Sequence, residues 1–140
     1  MNGLASPDFI HAILIWPWTW PIARVALVVT FLASGINKVI DFPSGVAEMA
    51  EARLPAPALM AVLSIFVELG GSILVLINRW VWLGAGMLGA FTAIGAVTAH
   101  AFWKVSGPAR KEAIAVFLMH IGVVAAFALD ALLAERLVGH

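Results

Sequence analysis

Residues 58–77 read ALMAVLSIFVELGGSILVLI, an apolar run whose one charged side chain, Glu68, stands near its middle. The hydrocarbon core of a bilayer, about 30 Å thick, takes about 20 such residues as a helix. The run therefore has the length and composition of one membrane crossing. A strand would leave its peptide groups unpaired in lipid unless a barrel closed around it, whereas a helix satisfies them within the segment. Reading outward finds three more runs of this kind, at about 21–40, 80–102 and 113–133. Four long runs in 140 residues do not resemble the short alternating segments of a barrel. The expected architecture is all-α: an integral membrane four-helix bundle, with residues 1–140 as a single transmembrane domain.

The whole chain is 63% hydrophobic and 11% charged, against about a quarter charged in a soluble domain, and its mean hydropathy is +1.03. So few charges cannot cover a water-facing surface of this size, and the lipid bilayer is the first expected partner. Eight Lys and Arg balance eight Asp and Glu, which leaves no basic field to attract nucleic acid. The absence of cysteine removes disulfides, iron–sulfur clusters and thiol redox chemistry from what the chain does alone. No intrinsic cofactor is expected, and any electron-transfer role would borrow one.

The connections refine this picture. Residues 9–16 are apolar but stop at Pro17 and lack the basic start and small-residue cleavage site of a signal peptide, so they read as an interfacial lead-in. Trp16, Trp18 and Trp20 precede span 1, and Trp80 and Trp82 open span 3, which puts five of six tryptophans at one water–lipid boundary. Between spans 1 and 2, Pro43 and Ser44 signal a helix start, and Val46, Met49, Ala50 and Leu54 recur at helical spacing, with Glu48, Glu51 and Arg53 largely opposite. That pattern predicts a short amphipathic helix at about 44–54 lying on the membrane. Asn78 and Arg79 alone join spans 2 and 3, which makes them antiparallel neighbours, and Ser106-Gly107-Pro108 marks a turn before span 4. Lys38, Arg53, Lys104, Arg110 and Lys111 flank one side, against Arg24, Arg79 and Arg136 on the other. The positive-inside rule then sets both termini outside the cytoplasm.

An ionisable group at membrane depth is costly and usually faces a partner inside the bundle, so each one is a candidate site. Glu68 leads, with Ser64 and Ser72 one turn to either side and Gly70 and Gly71 adjacent. Desolvation of an unpaired carboxyl favours its neutral acid, a proton carrier; the competing reading is an ion pair with Arg24 that fixes helix register. Arg24 and Lys38, fourteen residues apart, lie within about 40° on one helical face, with Phe31 and Gly35 between them. Lys38 is expected to snorkel to the nearby interface. His100 ends span 3 on the stripe of Thr92 and Ala96, and His120 lies on a stripe with Val123, Phe127 and Asp130. The topology puts Lys38, His100 and His120 on one side of the membrane, so a polar pocket would reach from that interface to Glu68. A histidine there, beside an aromatic such as Trp103, suits hydrogen bonding to a quinone carbonyl, and a buried carboxyl suits proton delivery. Haem fits worse, because the two histidines differ by about five residues in depth, roughly 7 Å. No metal site is expected, since no span pairs His or carboxyl residues at i, i+3 or i+4.

Arg24 opening span 1, the run Ser34-Gly35-Ile36-Asn37-Lys38 closing it, Leu54-Pro55 before span 2 and Glu68-Leu69-Gly70-Gly71 within it together resemble the DoxX family of small four-helix membrane proteins. His100 also suits that pattern, whereas His120 is not part of it. The resemblance covers roughly residues 24–133. It implies a four-helix bundle in a bacterial or archaeal cytoplasmic membrane and an association with redox systems, including a soluble partner subunit. Relatives are described as a subunit of a thiosulfate:quinone oxidoreductase and as a membrane component beside a superoxide dismutase and a sulfurtransferase.

The leading expectation is a membrane subunit of a redox system that binds a quinone, with His100, Lys38, Arg24, His120 and Trp103 around the ligand and Glu68 handling protons. Two readings from other classes use the same residues. A small proton or weak-acid transporter would carry its cargo past Glu68. An anchoring or assembly protein would use the ionic groups only to lock helices, with Gly86, Gly89, Ala90 and Ala93 as a packing surface within the chain, toward a partner or in a homo-oligomer.

Overall fold

The computed structural model describes residues 6–138, and every regular element in them is helical. A short α1 (Asp8–Ile15) leads through a turn at residues 16–18 into α2 (Thr19–Ile40). Then come α3 (Phe42–Glu51), α4 (Pro57–Leu76), α5 (Val81–Ala99), a 3₁₀ turn (Phe102–Lys104) and α6 (Gly107–Val138). Helices α2, α4 and α6, and α5 with its 3₁₀ extension, are long and apolar enough to cross a membrane, and the chain is an all-α membrane protein. Its outward faces carry large apolar side chains such as Ile36, Phe66, Ile94 and Leu132, each at least half exposed, as lipid contact requires.

Several ends differ from the sequence reading. The helix expected at 44–54 runs over Phe42–Glu51 because Asp41 caps it, its carboxylate accepting from the Ser44 N–H at 3.1 Å. It stops where Arg53 turns to a left-handed φ of 56° ahead of Pro55. The turn expected at residues 106–108 is the first turn of α6. Gly107 supplies a φ of 64° there, and Pro108, whose missing N–H costs nothing in a first turn, continues into the helix. Helix α6 therefore begins six residues before the expected 113 and, at 32 residues, is about 48 Å long.

The spans pack in chain order: α4 lies against both α2 and α5, and α5 lies along α6. Close approach drives the middle contact. A Cβ on Gly84 would stand 2.6 Å from the Gly71 carbonyl oxygen, so α4 and α5 touch backbone to backbone. Gly35 plays the same part between α2 and α4, where a Cβ would fall 2.7 Å from Leu69 Cδ2. By contrast, α2 and α6 meet at few points, and the bundle is left with a seam along that edge. The core residues Val28, Phe31, Val75, Ala85, Leu88 and Phe127 lie behind it. Phe31 and Phe127 bridge the seam edge to face, their ring centroids 5.5 Å apart.

Candidate functional site

Helix α2 buries one stripe, Arg24, Val28, Phe31, Gly35 and Lys38, which the 3.6-residue period puts on one face. Lys38 at its far end does not snorkel. Only 4% of it is exposed, and its amine turns inward to donate to Ser34 Oγ at 2.6 Å and to Glu68 Oε2 at 3.4 Å. Close packing at Gly35, where a Cβ would fall 3.3 Å from Glu68 Cβ, brings the carboxylate within reach of the amine. Glu68, 3% exposed at the middle of α4, also accepts from Ser34 Oγ at 2.8 Å and Ser64 Oγ at 3.3 Å. Both of its oxygens are thus engaged. Glu48 of α3 reaches Lys38 from the surface at 3.4 Å, its own side chain 61% exposed.

The expected ion pair between Arg24 and Glu68 does not form. Glu68 packs level with Gly35, and Arg24 lies eleven residues back along α2, about 16 Å at 1.5 Å per residue. Arg24 pairs instead with Asp130 of α6, Nε to Oδ1 at 2.9 Å, and donates through Nη1 to the Asn78 side chain. Asp130 was legible on the stripe of His120 and Phe127, yet nothing in the sequence tied it to Arg24, 106 residues away. Ser34 was equally visible, one helical turn before Lys38, as the i, i+4 partner it proves to be.

Two cavities lie on the Lys38 side. The inner one, about 560 Å³, opens in the seam between α2, α5 and α6, with Ser34, Glu68, Thr92 and His120 among apolar walls that include Phe31, Phe91 and Met119. The outer one, about 820 Å³, lies under α3 and takes in Glu48, Arg53, His100, Lys104 and His120. Phe91, Gly95 and His120 line both, so His120 stands between the interface and the buried carboxylate.

His100 and His120 lie at one level, contrary to the depth difference expected from their positions. Their ring centroids are 5.0 Å apart at a tilt of 42°. The early start of α6 carries its first turns past the end of α5 and brings His120 alongside His100. Among the described residues no three His, Cys, Asp or Glu side chains gather into a metal site. His120 Nδ1 sits 2.7 Å from the Val116 carbonyl oxygen, a contact that requires Nδ1–H and so leaves Nε2 as the free nitrogen of the neutral ring. Trp103 lines neither cavity. The 3₁₀ turn sets its ring against Phe102 and Phe117, at 5.0 and 6.1 Å, and it is half exposed.

The sequence pattern of the DoxX family matches residues 19–101, the stretch that holds Arg24, Ser34, Lys38, Glu68 and His100. Inner membrane protein YphA of Escherichia coli (strain K12) is 30% identical over 132 residues, 94% of this chain and 92% of that relative. No solved structure matches.

Proposed function

This chain belongs to the DoxX family, and from that premise we propose that it is a multi-pass inner-membrane subunit of a redox system, binding a quinone in the inner cavity of the seam. One observation carries the reading: an apolar cavity of about 560 Å³ lined by only a few polar groups, Glu68 of α4 and His120 of α6 among them. That volume lies within the range of small-molecule sites, and so does the mix of apolar lining with a few placed polar groups. The seam also opens sideways, between two spans that meet at few points, which suits a ligand dissolved in lipid.

Reduction of a bound quinone takes up two electrons, which a partner subunit would supply, and two protons. This chain's residues serve the proton side and the positioning. His120, its Nδ1–H held by Val116, presents Nε2 toward the cavity. His100 stacks against it and lines the outer cavity that reaches the membrane surface. Together they give protons a path inward from water. Lys38 and the two serines hold the Glu68 carboxylate at one place, and Phe31, Phe91 and Met119 exclude water around the ring.

Quinone extracted from the purified protein tests the reading. Retention near one equivalent, lost in Glu68→Gln and in His120→Ala, is the expected result. A protein that retains none, and whose Glu68→Gln variant leaves the host's quinone-linked oxidation unchanged, overturns it. The second reading, an anchor or assembly protein, draws support from how completely the Lys38–Glu68 network is satisfied. It predicts that Glu68→Gln lowers stability and partner recovery while no ligand is lost.

A further inference from the structure

The other end of the α2–α6 seam holds a second cavity, about 280 Å³, walled by Trp20, Leu27, Leu129 and Leu133 and bordered by Arg24 and Asp130. Phe31 and Phe127, in contact across the seam, stand between this end and the Glu68 cavity. Its walls are apolar, while the two charged side chains are 4% and 7% exposed. Their pairing is only half made. An Arg–carboxylate fork closes with two parallel N–H···O bonds. Here Nε donates to Oδ1 at 2.9 Å, while Arg24 Nη2 and Asp130 Oδ2 are buried with no partner. A buried donor and a buried acceptor left unpaired side by side are rare enough to need an explanation.

The chemistry of what would complete them is narrow. Nη1 already belongs to Asn78, so one nitrogen, Nη2, and one oxygen, Oδ2, remain without a partner. An ether or ketone would satisfy Nη2 alone. A carboxylate or phosphate would be repelled by Oδ2, and an ammonium by the guanidinium. A hydroxyl accepts from one and donates to the other, and it carries no charge into a pair that is already neutral. We propose that this cavity binds an uncharged, hydroxyl-headed amphiphile from the bilayer, its hydroxyl bridging Arg24 Nη2 and Asp130 Oδ2 and its chain running out past Leu129 and Leu133 into lipid. Trp20, whose ring covers the guanidinium at 5.0 Å from its carbon, is itself only part-buried and is the side chain that would have to move for the head group to enter. The site is independent of the quinone reading, sharing none of its polar groups.

Thermal unfolding of the purified protein in detergent, with 12-carbon probes that differ only at the head, tests this. Dodecanol raises Tm saturably by several degrees, while dodecane, dodecanoate and dodecylammonium at the same micellar fraction do not. Asp130→Asn, which leaves Arg24 charged, shifts the preference to dodecanoate; a merely structural pair has no reason to exchange one head group for another. Leu133→Trp, which fills the cavity without touching the pair, removes the dodecanol effect and keeps the proposal testable where Asp130→Asn does not fold. Displacement of dodecanol by a monoacylglycerol identifies a glycerolipid source, and displacement by a short-tailed hydroquinone identifies a phenolic one; either supports the site. An equal shift from all four probes, no shift from dodecanol, or dodecanol binding that neither competitor displaces overturns it. Those results would mean non-specific partition, a fork closed on itself or on water, and an adventitious additive only.

Discussion

The two ends of α2 carry the same kind of object, a buried cation paired with an acid on another helix, and the two are built to different standards. Lys38 meets Glu68 where α2 and α4 approach most closely, over Gly35, and Ser34 and Ser64 take up the remaining capacity of the carboxylate. Arg24 meets Asp130 across the seam, where the helices barely touch, and one bond of two is made. The geometry of the backbones decides the outcome. Close helices place several short polar side chains within reach of one charge. Distant helices leave the long Arg24 side chain to reach across to the short Asp130. A buried pair stabilises only when its other hydrogen-bonding positions are also filled, so the first pair locks the bundle and the second leaves something to be bound.

Substitutions can break or sharpen that contrast. The largest effect is expected at the closed end. Glu68→Gln leaves the buried Lys38 amine with only Ser34 and the exposed Glu48 as partners and should lower unfolding free energy by about 3–5 kcal/mol in a detergent-denaturation titration, with the double variant Lys38→Met, Glu68→Leu recovering most of it. A single variant as stable as the native chain would show that the network is no lock. Next comes the bridge between the ends. Phe127→Ala removes a side chain 1% exposed and should cost about 3 kcal/mol, at the lower end for such a truncation. Trapped xenon would then report one continuous void where the native chain has two. At the open end, Asp130→Asn also takes the carboxylate from a buried cation and should cost about 3 kcal/mol, the lower end of that range, since the amide oxygen can keep the Nε bond and Asn78 still holds the guanidinium; a loss well above that of Glu68→Gln would reverse the ranking of the pairs. Glu48→Gln should change stability by less than about 1 kcal/mol, because that carboxylate approaches Lys38 from the exposed side.

How far the sequence could be read follows the same division. The four spans were legible because hydropathy and length are properties of single segments, and the buried stripe of α2 was legible because it obeys one helical period. Pairing was another matter. Lys38 and Glu68 were each conspicuous, yet snorkelling and burial are separated by how close two backbones come, which depends on what Gly35 faces. The expected link from Arg24 to Glu68 failed because it matched charges without levels. The histidines were thought apart because the start of α6 was placed at 113, after a turn signal that turned out to be the helix's own first turn. Asp130 lay on a stripe already drawn but needed the fold to bring it to Arg24.

The aromatic contact of Phe31 with Phe127 has a consequence for how the molecule meets an asymmetric bilayer. It closes the seam at about the midpoint of α2 and leaves a cavity on either side, one toward the Arg24 end and one toward the Lys38 end. In a bilayer crossed by α2, the two would face the acyl chains of different leaflets. Leu27 lines both cavities, so a change in the lipid of one face has a path to the other site through that shared wall.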